Sequence, residues 1–275
     1  MDWAGAATLV VSLVSLLIVL SRIERAAASL PLTIASGALF AISTVVFLVW
    51  ESRCERPLLD LRLFGNRSFL LPVSAMMLFF IASFMMNIVG PFYFEGVMGF
   101  RPTQVGLVFL VVPVVMVVAS PISGWLYDKR RWRHYATVGM SIVAAAFFAL
   151  GILARSWYNV GAMSGLFVLI GLGSALFQSP NNTEIMNALP RSQTAIASSV
   201  SSAGRNLAMT LGVAFASILL PLQLRLAGYG GSVLGAEKHL LAGTIGNVMI
   251  ASGIFCVFTV IVLARNRPSA KRTAG

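Results

Sequence analysis

Apolar residues come in long blocks along this chain, separated by short polar connections. Eight blocks of about 20 residues stand out: Trp3–Leu20, Leu30–Trp50, Phe69–Phe94, Val105–Leu126, Tyr135–Leu153, Val160–Ser179, Ala195–Leu220 and Leu241–Leu263. About 20 apolar residues in a helix, rising about 1.5 Å each, cross the hydrocarbon core of a bilayer. A helix is also the form that satisfies every backbone donor and acceptor inside one segment, which lipid demands. Glycine and proline within the blocks do not break this reading, because neighbouring helices can satisfy the backbone groups they free. The pattern predicts an all-α polytopic membrane protein with eight transmembrane helices, and a lipid bilayer as its surroundings.

Composition agrees. Of 275 residues, 58% are hydrophobic and 11% charged, with a mean hydropathy of +0.87; soluble domains carry roughly a quarter charged residues. The net charge of +11 does not point to nucleic acid, because the cations fall in short connections and not on one soluble face. On one side lie Arg53, Arg56, Arg62, Arg67, Lys129, Arg130, Arg131, Arg133, Arg191, Arg265, Arg267, Lys271 and Arg272. The other side holds Arg22, Arg25, Arg101, Arg155, Arg225 and Lys238. The positive-inside rule then places both termini in the cytoplasm, together with the connections after the second, fourth and sixth blocks. Ala26-Ala27-Ala28-Ser29 resembles an export-signal cleavage site. However, Met1-Asp2-Trp3 lacks a basic start and the run before it is long, so the first block is read as a retained helix. Cys54 in a connection and Cys256 inside the last block are too far apart for a disulfide, and no metal site is indicated.

A few polar residues interrupt the blocks. Arg205 lies about ten residues into the seventh, roughly 15 Å along it. Exposing it to lipid costs several kcal/mol, so it is expected to face protein or a watery cavity, near Asn206, Gln178 or Glu184. Asn87 breaks a run of Met76, Met77, Phe79, Phe80, Phe84, Met85 and Met86. That run has two readings: a soft surface suited to varied apolar ligands, or lipid-facing filler, of which the second is preferred, with Asn87 facing a cavity. Gln178, Arg205, Asn206 and Asn87 form the expected substrate path. Asn181, Asn182 and Glu184 follow Pro180 in an expected loop at the inner mouth, and Glu95 stands at the outer mouth. Gly204, Ala208, Gly212 and Ala216 recur every four residues, a stripe that permits close helix packing, with a shorter version at Gly161 and Gly165. No nucleophile–base pair, metal-ligand cluster or phosphate loop appears at useful spacing, so the chain is not read as an enzyme.

The most charged stretch, "GWLYDKRRWRHY" (Gly124–Tyr135), resembles the short acidic-basic loop of major facilitator transporters, with Gly124, Asp128, Lys129, Arg131 and Arg133 on its frame. Lys129 stands where Arg is usual, and Arg131 where a second Gly is common. "ERPLLDLRLFGNRSF" (Glu55–Phe69) looks like the linker before the C-terminal bundle of fourteen-helix drug:proton antiporters. "PFYFEGVMGFRPTQVGL", "GLGSALFQSPNNTEIMNALP" and "SSVSSAGRNLAMTLGVAFA" resemble later parts of the same family, although Phe94-Glu95 departs from its Leu-Gln.

The resemblance implies two linker helices in 1–50, a cytoplasmic linker in 51–68, the C-terminal six-helix bundle of a major facilitator fold in 69–264 and a cytoplasmic basic tail in 265–275. It implies export of small amphipathic drugs or antiseptics, often cationic, by proton antiport, with the proton gradient as energy source and no cofactor. In that family an N-terminal six-helix bundle carries the coupling acids. The nine acids here, Asp2, Glu24, Glu51, Glu55, Asp60, Glu95, Asp128, Glu184 and Glu237, avoid mid-helix depth. A missing or separately supplied bundle, or a homodimer, is therefore expected, with a fragment or split half preferred. The alternatives are a non-transporting membrane subunit or scaffold, or an inactive truncated fragment. Asp128 has two readings: a conformational latch, or a bystander among cations that anchor topology.

Overall fold

Long helices account for nearly all of the fold. The computed structural model describes residues 30–53, 65–130, 134–156, 160–190 and 193–265, together with Thr8, Val11, Ser12, Val14, Ser15 and Ile18. The chain divides into two units, 1–70 and 71–275.

In the first unit, helix α1 spans Leu30–Arg53. The described positions between 8 and 18 are helical and touch α1: the Ser12 and Thr44 hydroxyls share a 2.7 Å hydrogen bond. Ser15 and Ser43 turn their hydroxyls back onto the carbonyls of Val11 and Phe40, which removes a polar group from an apolar setting. The expected first span, Trp3–Leu20, falls largely outside the described residues, and the expected second, Leu30–Trp50, lies within the 24-residue α1.

Six helices among the described residues are long and apolar enough to cross a membrane. They are α2 (Arg67–Phe92), α3 (Pro102–Arg130), α4 (Tyr135–Ser156), α5 (Val160–Asn187), α6 (Thr194–Leu226) and α7 (Lys238–Arg265). Several outrun their apolar blocks. Apolar length measures the hydrocarbon core, whereas a helix can continue into the interface while its backbone bonds persist. Thus α3 runs past Leu126, and Asp128 and Lys129 belong to its last turns. Likewise α5 passes through Pro180, so Asn181, Asn182 and Glu184 are helical and not in a loop.

Helix ends show why the chain turns where it does. After Pro91, α2 widens into a π-helical turn, Tyr93–Val97. Gly99 then adopts φ +72° and the Phe100 N–H closes back on Phe94's carbonyl at 2.9 Å. At the end of α6, Gly228 (φ +85°) allows Tyr229 and Gly228 to donate to the carbonyls of Leu224 and Arg225, a Schellman finish.

Within the second unit α4 packs on α5 and α7, α5 also holds α3, and α6 touches α5 and α7. Backbones approach closely at glycines. A Cβ on Gly139 would lie 2.6 Å from the Gly173 carbonyl oxygen, and one on Gly173 equally near that of Gly139. Gly151 and Gly246 stand in the same relation at 2.7 Å, and a Cβ on Gly212 would lie 2.6 Å from Ile81's carbonyl oxygen. Ala208 and Ala216 are fully buried, so the α6 stripe is a packing face. In α5, Gly165 of the expected shorter version has open space around it, and close contacts fall at Gly171 and Gly173.

Candidate substrate cavity

A cavity of about 360 Å³ lies between α2, α3 and α5, with Phe147 of α4 at its back. Helical spacing explains the lining. Phe79, Ser83, Met86 and Asn87 are four, seven and eight residues apart on one face of α2. Phe109, Val112, Pro113 and Met116 do the same on α3, as do Phe167, Ile170, Ser174 and Gln178 on α5. Gly171 sets the spacing of these walls, because any Cβ there would meet Val115 of α3 at 2.8 Å. Pro113 deprives Phe109's carbonyl of its helical donor, placing backbone polarity in an otherwise apolar wall.

Aromatic rings close one end. Phe94, from the π turn, is buried among Phe100, Phe109 and Phe167, with centroids 5.8, 6.2 and 6.0 Å away, and Phe109 meets Phe167 edge-on at 5.4 Å. Gly90 leaves room for the Phe109 ring. Beside the cavity, Phe79 packs on Phe177 at 5.1 Å. Polar groups are sparse: Asn87 donates to Ser83's carbonyl at 3.0 Å, and the Gln178 amide faces the Met116 sulfur at 4.0 Å.

Of the expected path residues, Asn87 and Gln178 line this cavity. Arg205 is half-buried on α6 with its guanidinium 6.0 Å over the Phe80 ring, a cation–π partner that no search for amides or carboxylates would find. Asn206 is exposed and does not line it. Asn181 is buried: its amide donates to Pro72's carbonyl at 3.1 Å and ties α5 to α2, while its Oδ1 has no partner. Asn182 is exposed and Glu184 half-buried beyond it, and Glu95 sits half-buried in the π turn. The preferred lipid-facing reading of the Met–Phe run is corrected. Met76, Phe79, Met85 and Met86 are buried, and Phe79, Phe80, Phe84 and Met86 line the cavity.

In the charged motif, Gly124 abuts α5, where a Cβ would lie 3.0 Å from the Ser179 hydroxyl. Asp128 is exposed on the last turn of α3. Lys129 rests its ammonium 4.8 Å over the exposed Trp125 ring, an arrangement suited to the membrane interface. Arg131 and Arg133 lie outside the described residues. Sequence reasoning missed Phe109, Met116, Phe167 and Ser174, whose one signal is helical spacing within α3 and within α5, and Phe147, which stands alone on α4 and carries none.

Among the described residues, six helices long and apolar enough to cross a membrane define a polytopic α-helical membrane protein. The sequence profile of the Major Facilitator Superfamily matches residues 1–213, and the chain belongs to that family. Its relatives include the riboflavin transporter RibZ of Clostridioides difficile, 29% identical over 63% of this chain and 38% of the relative. The multidrug export protein EmrB of Escherichia coli is 28% identical over 79% of this chain and 43% of the relative. The multidrug resistance protein Stp of Mycobacterium tuberculosis is 28% identical over 63% and 32%. The chain spans about two-fifths of the length of the curated relatives it matches.

Proposed function

We propose that this chain forms one side of the substrate path of a secondary transporter that exports small amphipathic, aromatic compounds by proton antiport. The observation that carries the reading is the cavity of about 360 Å³, walled by phenyl rings and methionines and marked by Asn87 and Gln178. Such a lining suits ligands of varied shape, because polarizable and aromatic side chains adapt and a few amides orient the guest.

Transport by rocking requires a second bundle facing this one. Among the described residues no carboxylate lines the cavity, so the proton-accepting acid is assigned to the facing bundle. We assign residues 1–50 to two linker helices, 51–68 to a cytoplasmic linker, 69–264 to the C-terminal bundle and 265–275 to a basic tail. Cation-rich connections support a cytoplasmic-membrane location with both termini inside, and Asp128 is assigned to a latch with the facing bundle.

With Arg205 against Phe80 and no acid in the lining, this side favours neutral or anionic guests over the cations that the family resemblance leads one to expect. Tetraphenylborate and tetraphenylphosphonium share a shape and differ in charge sign, so their binding to the purified full chain tests the reading. Phe80→Ala with Asn87→Leu is expected to weaken both by about tenfold, or 1.4 kcal/mol. Arg205→Gln is expected to weaken the borate alone. Unchanged binding in the double variant would sink the proposal.

A further inference from the structure

A second cavity, of about 590 Å³, opens at one membrane end of the bundle, where α4 finishes, α6 finishes and α7 begins. Arg155 is in the last turn of α4, Leu226 closes α6 and His239 is in the first turn of α7. These positions put the cavity at interfacial depth, where water, headgroups and the start of the acyl chains meet.

Arg155 is held in place. One of its terminal nitrogens donates to Asn247 Oδ1, and Asn247 Nδ2 donates in turn to Gln223 Oε1 at 2.7 Å, so a chain of bonds links α4, α7 and α6. Gly246 lets the arginine lie flat across α7, because Cγ and Nε sit 3.3 and 3.4 Å from where a Cβ would stand. Both partners in that chain are neutral amides, so they orient the guanidinium without cancelling its charge. A guanidinium has five N–H donors, and Asn247 is the acceptor for one of its terminal nitrogens. The cavity lining includes His239 and, among the described residues, no Asp or Glu; Glu237 lies just before α7, outside the lining. The rest of the wall is Leu226, Ala227, Leu240, Gly243 and Thr244, whose hydroxyl donates to the carbonyls of Leu240 and Leu241.

An oriented arginine without a carboxylate, beside amides and an apolar wall, has the chemistry that recognises a phosphate attached to something greasy. We propose that this cavity binds a phosphate group, supplied by the headgroup of an anionic phospholipid or by free phosphate. The site is separate from the cavity between α2, α3 and α5, so its test stands apart from the transport reading.

Native mass spectrometry of the full chain in detergent, titrated with dioleoylphosphatidylglycerol, tests it. The expected result is retention of one tightly held lipid, with dioleoylglycerol, which has the same chains and no phosphate, not retained. Arg155→Ala is expected to weaken retention by about tenfold. Gly243→Leu leaves Arg155 untouched and fills the cavity from a position with nothing within 4 Å of a Cβ, so it should fold and lose the lipid equally. Displacement by millimolar inorganic phosphate would identify free phosphate as the ligand, and resistance to it the lipid. Equal retention by wild type and both variants, or equal retention of dioleoylglycerol, would overturn the proposal.

Discussion

Helices α2 and α3 follow one another in the chain, and the most apolar stretch of α3 is more apolar than that of α2, yet 56% of that stretch is buried in α2 against 6% in α3. In water the order would be reversed. In lipid the hydrophobic effect does not choose which helix goes inside, since tails are as apolar as leucine; close packing and polar ties choose instead. Helix α2 has both, with Ala75, Ala82 and Met85 fully buried, Gly212 of α6 against its backbone, and the Asn181 amide on Pro72. On α3 one face serves α5, while Leu107, Val114, Val117, Val118 and Trp125 are exposed.

The sharpest way to break this contrast is truncation on both helices. Met85→Ala is expected to cost about 2–5 kcal/mol, the range for emptying a packed site, and to lower the unfolding temperature in detergent. Val117→Ala, at an exposed position, is expected to stay within about 0.5 kcal/mol. An equal loss at Val117 would mean that α3 is covered after all.

Adding a methyl sharpens the same comparison. Gly212→Ala drives a Cβ against the Ile81 carbonyl and is expected to destabilise by about 1–3 kcal/mol. Gly106→Ala on α3 meets nothing within 4 Å and should be neutral, or stabilising by about 0.5–1 kcal/mol through helix propensity. Among the changes expected to destabilise, the smallest effect is at Asn181→Leu, which deletes the tie to Pro72. Hydrogen bonds between membrane helices average about 0.6 kcal/mol, and thermal unfolding of paired samples would resolve a shift of that size. No shift would show that packing alone holds α5 on α2.

The last six of the eight expected spans were legible because lipid sets a minimum apolar length, and their ends were not, because the interface tolerates both helix and loop. Asn87 and Gln178 stood out as polar residues inside apolar blocks. Phe109, Phe147 and Phe167 did not, since an apolar residue in an apolar helix carries no mark of the side it faces. For the same reason the Met–Phe run of α2 read as lipid filler although it is interior. Arg205 was visible through the cost of lipid exposure, but its partner was an aromatic ring. The stripe on α6 was legible as a repeat within one helix. The pairs Gly139–Gly173 and Gly151–Gly246 each join two helices, and one sequence does not say which helices are neighbours.

Those two pairs act on the same helix from opposite ends. Gly139, near the start of α4, keys it to α5, and Gly151, near its finish, keys it to α7. A slide by one residue, about 1.5 Å, would bring side chains into places where only hydrogen fits. In mechanical terms α4, α5 and α7 are a pinned plate. Gly171 against Val115 fixes α3 to that plate as well, so any swing of this bundle that changes its internal shape has to be made by α2 and α6 moving over it.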